Sequence, residues 1–198
     1  MTDRSSGNDR IVPLPSDAEI RALHERLAPD AAAFDLVYTH CEIVAGIAAR
    51  LLAPPLDPDL VRAGCLVHDI GVYRLDGAYL RHGLIGYELM RDLGYPEVLS
   101  RFCAHHTGVG ITRADIERQG LPLPPGDYVA ETGEERLVMY ADKFHSKTSP
   151  PAFVTAATYR GDVRRFGPGK AAAFDAMVAE YGEPDLAPLA SAYGHALR

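Results

Sequence analysis

Apolar residues recur at helical spacing along most of the chain. The longest stripe consists of Leu36, Val37, Val44, Ile47 and Leu51. Residues at such three- and four-residue intervals lie on one face of a helix, so the stripe predicts a helix over residues 34–52. Similar stripes predict helices after Pro58, over residues 84–93 and from Pro96. No stretch alternates apolar and polar residues as a half-buried strand does, and the pattern therefore predicts an all-α fold.

The first helix start signal separates a tail from a domain. Ser16 and Glu19 have the spacing of a capping box, in which each side chain binds a free amide of the first helical turn. The polar residues 1–15 before this signal are predicted to form a flexible N-terminal tail. Residues 16–198 then form a single domain, and helices are also predicted over its C-terminal part, residues 151–198.

Residues 108–133 lack a strong apolar period. They contain glycines, a short helix predicted from about Thr112, and the proline-rich string LPLPPGDY. Ordered loops of this length often have a function, and two interpretations stand side by side. One is a lid that closes over a site, and the other is a surface loop tied to the bundle. Thr132 and Glu135 predict a second capping box, which starts the next helix.

The composition is that of a globular protein. Of 198 residues, 47% are hydrophobic and 24% are charged, which supplies enough apolar side chains for a core. The formal net charge of −7 argues against binding to nucleic acid polymers or to anionic membranes. We find no apolar run near the roughly 20 residues that cross a bilayer, and no signal-peptide core. A cytoplasmic location and no membrane partner are therefore expected.

Ionisable side chains interrupt the apolar stripes. Four of them lie on apolar faces of predicted helices: His40, His82, His106 and Asp142. The dipeptide His68-Asp69 follows the helix that begins after Pro58. A buried ionisable group without a partner costs several kcal/mol. A single buried histidine with hydrogen-bond partners is common in a protein core. Several buried ionisable groups in one small domain instead favour convergence on a metal, because metal binding compensates the cost of burying them.

Three short strings surround these residues. HDIG stands at residues 68–71, HGLIGYELM begins at His82, and HHTGVGIT begins at His105. Together with His40 and Asp142 they resemble the HD-domain superfamily of metal-dependent phosphohydrolases, in its branch with six ligands and two metals. The resemblance covers about residues 34–147 and implies an HD-domain helical bundle, which agrees with the all-α fold predicted from the stripes.

The resemblance implies a role for each ligand. The implied ligands of a first metal are His40, His68, Asp69 and Asp142. Those of a second metal are Asp69, which bridges, together with His82 and His106. His105 is a weaker choice than its neighbour His106, which lies on the apolar face and begins the family string H-x-G-x-G-I-T. Mixed imidazole and carboxylate ligands suit iron, manganese or zinc.

A phosphate substrate would also need cations. The cations nearest the ligands in sequence are Arg74, Arg81 and Lys143. A solvated surface charge is the alternative for each, and Lys143 is the best choice because family members often have lysine there. Four further basic residues, more distant from the ligands in sequence, either bind the phosphate as well or form a helix face: Lys147, Arg160, Arg164 and Arg165. The implied catalytic residues are His68, Asp69, Arg74 and Lys143.

The resemblance implies a metal-dependent phosphohydrolase that acts on a small phosphorylated metabolite or nucleotide through a water activated by two divalent metal ions. A mixed-valent di-iron oxygenase of the same superfamily and a non-catalytic metal-binding module stay open, because ligands alone do not separate them. Val72 follows HDIG where cyclic-dinucleotide phosphodiesterases usually carry lysine, so that substrate is not favoured. The expected partner is a small phosphorylated molecule, and the sequence predicts no oligomeric state.

Overall fold

A computed structural model describes residues 13–167 and 169–198. The predicted tail, residues 1–15, therefore lies largely outside the described residues. The described helices are α1 (Asp17–Leu27), α2 (Ala31–Leu51), α3 (Pro58–Val67), α4 (His82–Asp92), α5 (Glu97–His105), α6 (Arg113–Gln119), α7 (Gly133–Asp142), α8 (Ala156–Val163), α9 (Lys170–Tyr181) and α10 (Ala187–Tyr193). Short 3₁₀ helices cover Ile70–Arg74, Tyr79–Arg81 and Arg164–Phe166. The strands are β1 (His145–Ser146), β2 (Ala152–Phe153) and β3 (Ala196–Leu197).

The mainly helical fold predicted from the stripes is confirmed. The capping box of Ser16 and Glu19 starts α1, and Asp57 caps α3 by accepting two backbone hydrogen bonds. α2 begins at residue 31, three residues earlier than its stripe predicts, because the side chain of Asp30 caps it. The short polar caps thus define the helix starts more sharply than the apolar period does.

The second predicted capping box forms only in part. The Thr132 side chain accepts a hydrogen bond from the Glu135 amide, and no return bond from Glu135 forms. The Glu135 carboxylate instead accepts from Arg101 Nε and from the Glu131 amide, each at 2.8 Å, and pairs with His105 Nδ1 at 2.8 Å. Because Glu135 is buried, its charge needs more partners than a single amide supplies.

α2 is the central helix of the bundle. It packs against α1, α3 and α7, and its side chains Cys41, Ile43, Val44 and Ile47 are fully buried. By length and apolar composition it is the one helix of the described part that could cross a membrane, with a mean hydropathy of 1.3. Half of that apolar window is buried inside the fold, so its place at the centre of the bundle accounts for its composition.

Gly71, the last residue of HDIG, lies where two elements touch. A Cβ atom at this position would be 2.1 Å from the backbone oxygen of His82 and 2.4 Å from the backbone nitrogen of Gly86. These distances are too short for any carbon atom, so only glycine fits. The close approach holds the 3₁₀ helix that follows Asp69 against the first turn of α4, and it thereby brings Asp69 towards His82.

A small three-stranded sheet is absent from the sequence prediction. β1 pairs antiparallel with β2, with His145 opposite Phe153. β2 pairs parallel with β3, with Phe153 opposite Leu197. Strands of two residues are too short to show an alternating pattern, so the sequence carries no periodic signal for them. The sheet brings residues 196–197 next to the segment that follows α7.

Residues 108–133, all of them described, are tied to the rest of the fold. At the start of α9, Lys170 donates hydrogen bonds to the carbonyl of Gly110 and to the carboxylate of Asp115, each at 2.6 Å. Within this segment only Gly108 lines the cavity beside the site described below. The segment therefore has the arrangement of a tied surface loop, and its proline-rich part does not line that cavity.

We expect Gly71→Ala to lower the free energy of unfolding by about 2–3 kcal/mol, because the added methyl group must displace the backbone of α4 rather than a flexible side chain. Urea unfolding followed by circular dichroism measures this change. The matched control is Gly161→Ala in α8, where an added Cβ meets nothing within 4 Å. The control should be neutral or stabilising by about 0.5–1 kcal/mol, since alanine favours a helix interior. Equal stability of the two variants would contradict the close approach.

Candidate metal centre

Six side chains, carried by five helices or by the residues just after them, converge in the structure. They are His40 of α2, His68 and Asp69 after α3, His82 at the start of α4, His106 after α5, and Asp142 at the end of α7. Five of them are at least nine-tenths buried, and the side chain of Asp142 is 15% exposed. The structure thus brings together all six ligands that the sequence predicts. Most lie at helix ends, where side chains from several helices can meet.

The first part of the cluster, named the His40 half-site, consists of His40, His68, Asp142 and one oxygen of Asp69. His40 Nε2 lies 3.0 Å from Asp142 Oδ1 and 3.2 Å from Asp69 Oδ2. His68 Nε2 lies 3.2 Å from His40 Nε2 and 3.5 Å from Asp142 Oδ1. Ligand atoms about 2.1 Å from a metal lie about 3.0–3.4 Å from one another, so this spacing fits a bound cation.

The second part, named the His82 half-site, consists of His82, His106 and the other oxygen of Asp69. His82 Nε2 lies 2.9 Å from His106 Nε2 and 3.2 Å from Asp69 Oδ1. His106 Nε2 lies 3.6 Å from the same oxygen. Asp69 therefore directs Oδ2 to one half-site and Oδ1 to the other. A further group that could hold a metal, His68 with His106 and Asp142, links the two.

The surroundings of Asp69 Oδ1 show whether these residues fit a metal. Among the buried side-chain atoms of the described part, this oxygen has no hydrogen-bond partner. Leaving a buried carboxylate oxygen unsatisfied is costly. The imidazole nitrogens of His82 and His106 lie beside it without bonding to it. A cation would satisfy the oxygen and both nitrogens at once, so the donor set fits a divalent metal.

Three of the ligand imidazoles are anchored by their own stretch of backbone. Nδ1 of His68, His82 and His106 each hydrogen-bonds a carbonyl three residues upstream, at 2.7, 2.6 and 2.7 Å. The accepting carbonyls belong to Cys65, Tyr79 and Cys103. A ring that donates its Nδ1–H in this way keeps the lone pair on Nε2, which is the arrangement of a metal-binding histidine.

The electrostatics of the cluster favour ionised carboxylates. Burial alone would raise the pKa of Asp69, but the ammonium of Lys147 and the imidazoles of His68, His106 and His40 together outweigh burial and hold that pKa well below its usual value. The pKa of Asp142 is likewise held well below its usual value, with burial opposed chiefly by Lys143. Burial lowers the pKa of His106 to about 4. Anionic carboxylates and a neutral imidazole are the forms that bind metal.

Two lysines approach the cluster in different ways. Lys143 is buried and donates to Asp142 Oδ2 at 2.6 Å and to the His106 carbonyl at 3.0 Å, so it holds two ligand-bearing segments in place. Lys147 contacts Asp69 Oδ2 and lies 5.5 Å above the ring of Tyr79. Burial would lower the pKa of Lys147, but Asp69, together with Tyr79 and Asp142, raises it by more than burial lowers it, so the side chain is a cation.

The other predicted cations are mostly elsewhere. Arg74 and Arg81 are exposed, and neither lines the cavity beside the cluster. Arg160 forms a two-pronged ion pair with Asp175, at 2.7 and 2.8 Å. Arg164 is exposed and also lies outside the cavity lining. The structure therefore does not bring Arg74, predicted as a catalytic residue, to the cluster, because the 3₁₀ helix that carries it turns its side chain to solvent.

The choice between the adjacent histidines is made by helix geometry. His106 is in the cluster, whereas His105 Nδ1 pairs with the Glu135 carboxylate at 2.8 Å. Successive residues on a helix point about 100° apart, so two neighbours cannot face the same point. His105 belongs to the buried ion-pair group of Arg101 and Glu135.

A cavity of about 410 Å³ opens beside the cluster. Its lining includes three predicted cations: Lys143, Lys147 and Arg165. The sequence prediction missed other lining residues: Tyr79, His145, Tyr159, Phe166 and Arg198. His145 had a usable signal, because it follows Asp142 by only three residues. Arg198 had none, since the β2–β3 pairing alone brings it here.

Comparison with known proteins places the fold. Residues 37–147, more than half of the chain, match the family described as HD domain. The chain belongs to the HD domain family. All six clustered side chains of this HD domain lie within the matched residues, and the match ends at Lys147.

Similar proteins match a little more than half of the chain. A Methanocaldococcus jannaschii protein, "Uncharacterized protein MJ0778", is 39% identical over 112 residues, which are 54% of this chain and 64% of the relative. The tRNA (cytidine(56)-2'-O)-methyltransferase of Picrophilus torridus is 37% identical over 113 residues, 57% of this chain and 32% of the relative. The chain thus spans less than two thirds of the length of these curated relatives.

A solved structure shares the HD fold. The HD domain of the L. monocytogenes phosphodiesterase PgpH, in complex with cyclic-di-AMP, superposes with a TM-score of 0.51. The match covers 88% of this chain and 96% of that one, at 14% sequence identity. The likeness shows a common helical fold over most of the chain, including helices outside the matched family region.

We expect His106→Ala to lower the metal content by about one ion per chain, because it removes a ligand of the His82 half-site and leaves the His40 half-site intact. Metal is counted by mass spectrometry after loading with manganese and dialysis. Asp69→Ala should lose both ions, since both half-sites use its carboxylate.

The matched control is the neighbouring substitution His105→Ala. It removes the ion pair with Glu135 and should lower the melting temperature while leaving the metal content unchanged. Loss of metal from His105→Ala but not from His106→Ala would show that the wrong histidine has been assigned.

Proposed function

We propose that this HD domain is a metal-dependent phosphohydrolase that acts on a small phosphorylated metabolite or nucleotide with two divalent ions, iron, manganese or zinc. The observation that carries the proposal is the carboxylate of Asp69. Its two oxygens face two groups of imidazole nitrogens, and the cavity beside them is lined with cations. Two divalent ions held by these residues, next to a cavity that presents lysine and arginine side chains, would suit reactions at phosphorus.

The metals and the ligand residues divide the chemistry between them. When bound, a pair of divalent ions supplies an acidified water for attack on phosphorus and positive charge opposite the phosphate oxygens. Five ligands also line the cavity, so a molecule bound there would lie against the cluster: His40, Asp69, His82, His106 and Asp142. His68 is fully buried behind them. Its anchored ring supports the cluster from the protein side.

The phosphate group has a cationic binding region in the cavity. Lys147 contacts Asp69 and also lines the cavity, so its ammonium is placed to bind a phosphate oxygen next to the cluster. Arg165 and Arg198 line the same cavity and offer further donors. Lys143 lines it too, but two of its hydrogen bonds go to Asp142 and to a backbone carbonyl. Lys143 is therefore a positioning residue, and Lys147 is the principal phosphate-binding cation.

Aromatic side chains in the cavity lining supply a surface for the organic part of the substrate. Tyr79 is 52% exposed and Phe166 is 45% exposed, although both are large apolar residues. The guanidinium of Arg165 lies 4.8 Å from the ring centroid of Phe166. Exposed rings and a stacked guanidinium bind flat groups well. Among small phosphorylated compounds this supports a nucleotide, and a volume of about 410 Å³ is in the range of small-molecule sites.

The relatives widen the set of compounds to test. The PgpH domain is named as a phosphodiesterase and was solved with cyclic-di-AMP, so a cyclic dinucleotide belongs in the panel. Relatives named as tRNA methyltransferases match this chain over 32% of their own length, so short RNA with terminal phosphates belongs there too. Neither name carries over to this chain by itself.

We expect the manganese-loaded protein to release phosphate, without oxygen, from at least one nucleotide or sugar phosphate. Hydrolysis needs no redox change, whereas an oxygenase needs iron and consumes O₂. Phosphate release is measured anaerobically for phosphomonoesters, nucleotides and short RNA with terminal phosphates. Chromatography of the products measures cleavage of dinucleoside polyphosphates and of a cyclic dinucleotide, which need not free phosphate. His68→Ala should abolish any activity found. If no compound of the panel is hydrolysed and the iron form takes up oxygen in the presence of a polyol or phosphonate, the oxygenase is favoured. Bound metal with neither activity would favour a non-catalytic metal-binding module.

We expect Lys147→Ala to lower kcat/KM for that substrate by about 10–100-fold, because a hydrogen bond from a charged donor contributes about 1.5–3 kcal/mol. The matched control is Arg74→Ala, which removes an exposed cation outside the cavity and should leave kcat/KM unchanged. Initial rates at several substrate concentrations measure both. Equal losses in the two variants would contradict the assignment of Lys147 to the phosphate.

A further inference from the structure

His40 differs from the other three ligand histidines in what holds its ring. The other three rings bond backbone carbonyls of their own segments, three residues upstream. His40 Nδ1 lies 2.8 Å from Nδ1 of His145, a residue of β1. The orientation of this one ligand therefore depends on a side chain that is distant in the sequence.

The contact continues to a third histidine. His145 Nε2 lies 3.0 Å from Nδ1 of His195, which precedes β3. The ring centroids of His40 and His145 are 5.2 Å apart with 28° between the ring planes. Those of His145 and His195 are 5.2 Å apart with 20° between the planes, so in each pair the rings meet edge to edge through their nitrogens. His40, His145 and His195 are named the histidine series.

The small sheet builds this series. His145 of β1 is opposite Phe153 of β2, and Phe153 is opposite Leu197 of β3. The ring of Phe153 also packs edge-on against His145, with centroids 5.0 Å apart. These pairings hold His195, two residues before Leu197, against the outer nitrogen of His145. The strand pairings therefore hold the rings of the histidine series in contact.

When all three rings are neutral, each carries one N–H proton, and the two hydrogen bonds of the series can then run in either of two orders. In the first order, His40 donates from Nδ1 to His145, which donates from Nε2 to His195. In the second order, each donation runs the opposite way and the His40 proton is on Nε2. Both orders place three protons on three rings, so none is gained or lost between them. Only the first order leaves the lone pair on His40 Nε2, which faces Asp69 and Asp142.

We propose that His145 and His195 are positioning residues of the metal centre: by accepting hydrogen bonds in turn, they keep the lone pair on His40 Nε2 and so set the metal affinity of the His40 half-site. The inference rests on the metal centre of the proposed function. The His82 half-site does not need the series, because both of its rings have backbone anchors. Loss of a partner that orients a metal-binding histidine typically costs 10–100-fold in metal affinity.

The test is manganese binding by the full chain in a His82→Ala background, where the His40 half-site is the remaining site. His145→Phe keeps a ring against Phe153 but removes both nitrogens, and it should weaken manganese binding about 10–100-fold. His145→Asn should bind more tightly than His145→Phe, because its amide oxygen can accept from His40 Nδ1. His195→Phe should show a smaller loss, since it removes only the outer acceptor.

The control is Tyr193→Phe, which alters a ring 6.0 Å from that of His195 without removing a nitrogen from the series. It should bind manganese as the background protein does. Unchanged affinity in a folded His145→Phe protein would overturn the inference, as would asparagine binding no more tightly than phenylalanine. If His145→Phe does not fold, an unchanged affinity in His195→Phe overturns the role of the series.

The parent protein separates this inference from the proposed function. A parent that binds no manganese overturns both, because the series would then have no metal site to serve. A parent that binds two ions but releases no phosphate from any tested compound loses only the proposed hydrolase activity. The affinities of the series variants still decide the inference in that case, since they are measured without turnover.

Discussion

The buried carboxylate of Asp69 is the group on which the rest of the centre depends. An ionised side chain this deep in a protein costs several kcal/mol unless opposite charge or donors surround it. The fold surrounds it with imidazoles from α2, α4 and the ends of α3 and α5, and with the ammonium of Lys147. One oxygen is still unsatisfied by any protein group of the described part. A metal site explains that arrangement better than a structural ion pair does.

The local geometry explains why the ligands can meet without disturbing the helices. His68, Asp69, His106 and Asp142 all lie at or just beyond the ends of helices, where side chains are free to turn towards a common point. Gly71 permits the backbone approach that brings α4 and its first residue, His82, to the same point. The glycine of HDIG therefore positions the centre, just as the histidine and the aspartate of the same string supply side chains to it.

The two half-sites are supported in different ways. The rings of the His82 half-site bond carbonyls of their own turns, so those turns orient them as soon as they form. His40 projects from the middle of α2 and is held through His145 and His195, which the small sheet assembles. One half-site thus depends on local structure and the other on the packing of distant segments. A centre built in this way connects the residues around β3 to the metal ligands.

Sequence by itself determined the helices, the family resemblance and the six side chains that cluster in the structure, because capping boxes, apolar stripes and the strings that carry these side chains are local signals. His106 could be preferred to His105 for the same reason, since the helical period assigns each residue a face. Only the tertiary structure decided which cations reach the cavity. Arg74 is close to the ligands in sequence but exposed, whereas Arg198 reaches the cavity through strand pairing. Contacts between distant segments follow from how the helices and strands pack, and no local pattern records them.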